Sequence, residues 1–238
     1  MAHGNANRFT ESREAYEEAL SLDPNCVAIY EYLAWANFMD VWFGPSASRA
    51  QSLQSAFEYT QKCLALDESN PGCHRVLGHA YLLKRDYQKA LSEGKRSIEL
   101  NPNSPESATT YGWTLRSVGR YEEAIQEYKR AMRLDPMRIE FPLTQLGTTY
   151  FMMGRPEEAI ATHRQVLALK KEGGLAVWLN LAVAYSPLDR MEEARAAVSE
   201  VLKLSPNFSL EHFAKTLPYK SEAVRQAIVD ALRKAGMN

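Results

Sequence analysis

The sequence predicts an all-α chain: a row of antiparallel helix pairs closed by one further helix. Three observations predict it. First, a leucine followed by a helix-stopping stretch recurs at Leu22-Asp23-Pro24, Leu66-Asp67-Glu68, Leu100-Asn101-Pro102, Leu134-Asp135-Pro136, Leu169-Lys170-Lys171 and Leu204-Ser205-Pro206, and the leucines are spaced by 44, 34, 34, 35 and 35 residues. Second, each period holds a small residue at one place: Ala34, Gly78, Gly112, Gly147 and Ala182. Third, the period stops after residue 208 and an amphipathic stretch follows.

The elements follow in chain order. Residues 8–22, RFTESREAYEEALSL, read as the second helix of a pair whose first helix is missing. An apolar face without its neighbour finds another partner. The chain is therefore expected to be cut from a longer protein or to dock this helix elsewhere, and a homodimer through it is one such arrangement. Five complete pairs are expected at 27–70, 71–104, 105–138, 140–174 and 175–208, making one domain over 1–238. A bulky residue precedes each small one (Leu33, Leu77, Tyr111, Leu146, Leu181), and an alanine opens the second helix at Ala90, Ala124, Ala159 and Ala194. Helices approach closely only where side chains are small, and the bulky neighbours fill the flanking grooves. Gly119, Gly154 and Asp189-Arg190 mark turns within pairs. The first pair carries ten extra residues. Its first helix should run through Phe38 and Trp42, break at Gly44-Pro45-Ser46, and restart near 47–49. In the closing segment, Pro218 stops one helix and Ser221 caps the next. Val224, Ala227, Ile228, Ala231 and Leu232 form an apolar stripe ended by Gly236. Such a helix covers the last pair's core face.

A period near 34 built from two helices resembles the tetratricopeptide repeat (TPR). The small residue, its bulky neighbour, the aromatic or leucine three residues on and the later alanine carry that resemblance in consecutive units over about 7–208. It implies a tetratricopeptide-repeat solenoid, a right-handed superhelix of antiparallel pairs whose first helices line a concave groove. At a finer level, the long first pair and the tail Phe213…Leu217-Pro218-Tyr219-Lys220 with its closing helix look like the C-terminal repeat regions of bacterial signalling proteins. Those regions follow class III adenylate/guanylate cyclase-type or winged-helix domains. This implies a regulatory part of a larger protein and no cyclase activity in these residues.

The chemistry of the chain points away from catalysis. It has no Gly-rich phosphate loop, GxSxG or HExxH pattern. Glu122-Glu123, Glu157-Glu158 and Glu192-Glu193 recur in the first turn of second helices, where carboxylates favour the helix dipole. His163 falls on a core-facing place. Neither metal nor cofactor is expected. Net charge is −1 without long runs of one sign, which gives no basis for binding nucleic acid or a membrane. No apolar run approaches a membrane span. Three cysteines, Cys26, Cys63 and Cys73, make no pairwise framework and read as free thiols in a reducing, cytoplasmic setting.

The expected function is non-catalytic binding of a protein or peptide in the groove. The family's first-helix pattern places Trp35, Phe38, Arg75, His79, Trp113, Arg116, Thr148 and Phe151 toward a partner, with Trp113 and Arg116 as anchors. Trp113 half-buried against the next repeat is an equal alternative. A chaperone-tail carboxylate clamp is not expected, because the matching places lack its Lys and Asn. The competing reading is structural assembly, through self-association or intramolecular docking.

Overall fold

The computed structural model describes residues 13–43, 49–170 and 173–237, apart from the side chains of Trp42 and Phe43. The described residues are helices and short connections. The expected break at Gly44-Pro45-Ser46 and the restart at 47–48 lie outside them. By contact the chain divides into two compact units, Met1–Thr114 and Leu115–Asn238.

Unit 1 holds α1 (13–22), α2 (Val27–Phe43), α3 (Arg49–Leu66), α4 (Pro71–Leu83) and α5 (Tyr87–Leu100), and most of α6 (Pro105–Ser117). The starts follow local chemistry. Asn70 Oδ1 accepts the Cys73 N–H at 2.9 Å, and Pro71 opens α4, where a missing N–H costs nothing. α2 packs on α3, and α4 on α5. Gly78 shows why a small residue is needed: a Cβ there would lie 3.2 Å from both Ala90 O and Gly94 N, on the backbone of α5. The helix expected to lack a partner finds neighbours within the chain. Tyr16 of α1 stacks on Tyr32 of α2 at 5.2 Å, and Leu20 packs against Tyr30, Cys63 and Cys73.

That cluster corrects one expectation. Cys63 and Cys73 are joined by a disulfide, with Cα atoms 6.4 Å apart, and Cys26 alone is free. The odd cysteine count hid the pair. Cys63 lies near the end of α3 and Cys73 in the first turn of α4, and the pairing of neighbouring helices brings both to the same buried seam.

Unit 2 holds α7 (Tyr121–Leu134), α8 (Glu140–Met152), α9 (Pro156–Leu169), α10 (Leu175–Tyr185), a 3-10 turn (Ser186–Leu188), α11 (Met191–Leu204), α12 (Leu210–Thr216) and α13 (Glu222–Lys234). α8 packs on α9, α10 on α11, and α10 also on α9. Gly119 and Gly154 take φ of +89° and +73° at the turns, and Asp189 takes +56°. The paired glutamates are structural. Glu123, Glu158 and Glu193 each accept from the arginine three residues earlier, Arg120, Arg155 and Arg190, which holds their carboxyls below the usual range. α13 packs on α10 and the 3-10 turn. Ser221 Oγ caps it through the Val224 N–H, and Gly236 with φ +94° follows its end. Its buried face is Ile228, Val229, Ala231 and Leu232, whereas Ala227 of the expected stripe is exposed. The four-residue step from Ile228 to Leu232 sets that face.

Candidate functional site

The residue after each small first-helix residue sets the surface that helix presents. In unit 1 these are Trp35, His79 and Trp113, and their rings form a row. Trp35 and His79 have centroids 6.2 Å apart, and His79 and Trp113 are 4.9 Å apart, edge to face. Phe38, one turn beyond Trp35, sits inside the row at 5.3 Å from Trp35, 4.9 Å from His79 and 6.3 Å from Trp113. Phe38 and His79 are each 1% exposed, so they form the floor. His79 Nε2 meets the Thr110 carbonyl at 3.1 Å, which fixes its ring plane. Trp35 and Trp113 keep partial exposure.

Arg75 lies beside this row. Its guanidinium stacks over Trp35 at 4.7 Å and pairs with Glu31 at 3.2 Å. The stacked plane leaves the positive charge in place while one carboxylate offsets it. The arrangement offers aromatic edges and a cation. Among the described residues no group of three or more His, Cys, Asp or Glu could hold a metal ion.

The other three expected residues lie in unit 2, and they differ. Arg116 is 3% exposed; its Nη1 donates to Gln145 O at 3.3 Å, and its guanidinium lies 5.7 Å from the Tyr219 ring centre. Thr148 is buried and accepts from Asn180 Nδ2 at 2.8 Å. Phe151 is half-buried. Arg116 therefore already has occupants from its own chain. Nearby, burial pushes the Tyr128 hydroxyl up to about 12. His163 is fully buried against Gly147, with neither ring nitrogen hydrogen-bonded among the described residues. Burial first, and the Arg116 charge second, pull its pKa down to about 3. Sequence reasoning missed Ser117, Tyr219 and Lys220 as partners of this region. The only signal was the non-helical Leu-Pro-Tyr-Lys run.

Family models described as tetratricopeptide repeats match residues 1–41, 94–126, 112–154, 143–172 and 175–208. The chain carries the tetratricopeptide-repeat fold. Solved structures agree on the fold. PilF of Pseudomonas aeruginosa matches at TM-score 0.57 and 18% identity, over 87% of this chain and 88% of its own. A thermophilic TPR protein of Thermus thermophilus matches at TM-score 0.60 and 22% identity, over 77% and 92%. PilW, a type IV pilus biogenesis factor, matches at TM-score 0.60 and 16% identity, over 85% and 90%. No curated protein matches the sequence. Among the described residues no helix is long and apolar enough to cross a membrane.

Proposed function

We propose that the chain is a non-catalytic TPR docking module that binds a protein or peptide through the first helices of unit 1 and serves in assembly. The observation that carries this is the ring row of Trp35, His79 and Trp113 with Arg75 at its side. Partly exposed Trp and Arg held by packed neighbours are the side chains that concentrate binding energy. Phe38 and His79 support them from below. PilW, a type IV pilus biogenesis factor, shares only the fold with this chain, and it supplies a precedent for an assembly role. The narrower reading, a regulatory region of a bacterial signalling protein, rests on the tail and long first pair alone. The cytoplasmic placement loses its basis with the Cys63–Cys73 bond, because disulfides persist in oxidising surroundings.

The test is a pull-down to recover the partner, then titration calorimetry on folded variants. Trp113→Ala should weaken binding by about 2 kcal/mol or more, the scale of an interface hot spot. Gln126→Ala, on the exposed face of α7, should change little. Normal binding by Trp113→Ala together with loss in Gln126→Ala would place the interface on the second helices and end this reading.

A further inference from the structure

Residues 217–220, Leu-Pro-Tyr-Lys, join α12 to α13 without helix. Leu217 enters with φ −61° and ψ 115°, and Ser221 leaves with φ −74° and ψ 121°, both extended. Pro218 enforces this, since it disfavours a helical residue before it and fixes its own φ. The run is held as a bound peptide is held. The Lys220 N–H donates to Ser117 O at 2.8 Å. That carbonyl belongs to the last turn of α6, where the helix itself offers no donor. The Tyr219 ring faces the Arg116 guanidinium. Leu217 and Tyr219 are 3% and 7% exposed, while Lys215, Lys220 and Ser221 around them are exposed. One main-chain hydrogen bond to α6, the Arg225 guanidinium donating to the Tyr219 carbonyl, and the three buried side chains of Leu217, Pro218 and Tyr219 thus seat the run on unit 2.

We propose that residues 217–220 are an internal ligand, and that the unit 2 surface around Arg116 and Ser117 is a docking site for an extended aliphatic-proline-aromatic segment of a partner protein. The proposal deepens the docking-module reading by naming the partner's chemistry at a second surface. Replacing one such segment by another preserves every contact described. The outcome then turns on effective concentration. A tethered segment acts at a concentration of order mM, so a free segment competes poorly until the internal copy is weakened.

The experiment uses the whole chain and a labelled peptide of residues 213–222, FAKTLPYKSE, read by fluorescence anisotropy. Tyr219→Ala should bind it at least about tenfold more tightly than wild type, because the internal competitor has lost its ring. Adding Arg116→Ala to that variant should remove the gain, and a peptide with Ala in place of the Pro-Tyr pair should not bind. Hydrogen exchange on wild type serves if Tyr219→Ala does not fold. The Lys220 amide should then open at least about tenfold faster than amides in the middle of α10, as a locally released segment does. A folded Tyr219→Ala that gains no peptide binding, or a Lys220 amide that opens only with α10, overturns the proposal. Neither result touches Trp113, so the unit 1 reading stands or falls by its own assay.

Discussion

The two units use the same helix pair to opposite ends. In unit 1 the residue after the small one is a ring each time, Trp35, His79 and Trp113, and two of the three keep partial exposure. In unit 2 the same place holds Thr148 and Val183, both buried. Arginines diverge in parallel. Arg75 in unit 1 is partly accessible and answers a carboxylate; Arg116 is enclosed and answers a carbonyl and a tyrosine of the tail. One side chain per first helix therefore decides whether a repeat presents a surface or closes on itself. The backbone pattern is shared; the difference lies in side-chain volume and in what the C-terminal segment reaches.

Deleting residues 221–238 should separate the units most. Ile228, Val229 and Leu232 are buried by α13 packing on α10 and the 3-10 turn. At about 1.5–3 kcal/mol for each large apolar side chain, their loss weighs heavily against a total of order 10 kcal/mol. Thermal melting should fall, and hydrogen exchange should rise in α10 and α11 before it rises in α4 and α5. An unchanged melting curve would show that α13 is not a cap.

The next effect is pH-dependent and belongs to unit 2. His163 has a folded value of about 3, below the ordinary 6.5. The unfolded chain therefore takes up a proton that the folded chain refuses. The associated stability is whole above about pH 6.5 and declines as pH falls toward 3, by about 3–5 kcal/mol across the window. His163→Leu should flatten that slope in urea unfolding measured at pH 7, 5 and 4. An equal slope in wild type and variant would assign the acid sensitivity to other groups.

The arginines give a smaller contrast. Arg116→Lys loses the flat guanidinium that donates to Gln145 O while facing Tyr219, and should cost about 1–2 kcal/mol. Arg75→Lys keeps a charge beside Glu31 in a wetter place and should cost under about 1 kcal/mol. Equal costs in denaturant titrations would erase the distinction between an open and an enclosed arginine.

Much of the fold was readable because the repeat states its rules several times. Leucine endings, small residues and proline stops recur, so each helix boundary was read from several copies. α13 starts after Ser221, as its capping side chain requires. The side-chain destinations were less legible. Arg116 and Trp113 share one helix face in the pattern, yet only three-dimensional packing brings Tyr219, over a hundred residues later in the chain, onto Arg116. The Cys63–Cys73 pair was hidden for a like reason, since an odd count says nothing about which two side chains share a seam. Ala227 fell off the predicted stripe because a short helix can rotate by one residue to meet its neighbours.

The smallest effect lies in the turns inside the pairs. Seven residues after four of the five small residues the chain passes through the left-handed region: Gly119 and Gly154 with φ +89° and +73°, Asp189 with +56°, and Arg85 with +59°. Glycine fits there without penalty, and a short acidic side chain tolerates it. Arginine does not, because its Cβ crowds the following carbonyl at a cost of about 1–2 kcal/mol. Arg85 is exposed, and no ion pair of its side chain offsets that cost among those described. Arg85→Gly relieves the crowding but adds freedom to the unfolded chain, an opposing effect of about 0.4–1 kcal/mol. The net gain should be about 0.5 kcal/mol, since the two terms differ by little. Gly119→Ala runs the comparison backwards. Nothing lies within 4 Å of an added Cβ there, so the backbone alone sets the loss, about 1 kcal/mol. Melting curves of the two variants should move in opposite directions. If both fall, Arg85 holds its turn by contacts of its side chain, and the unit 1 turn is not a glycine site in disguise.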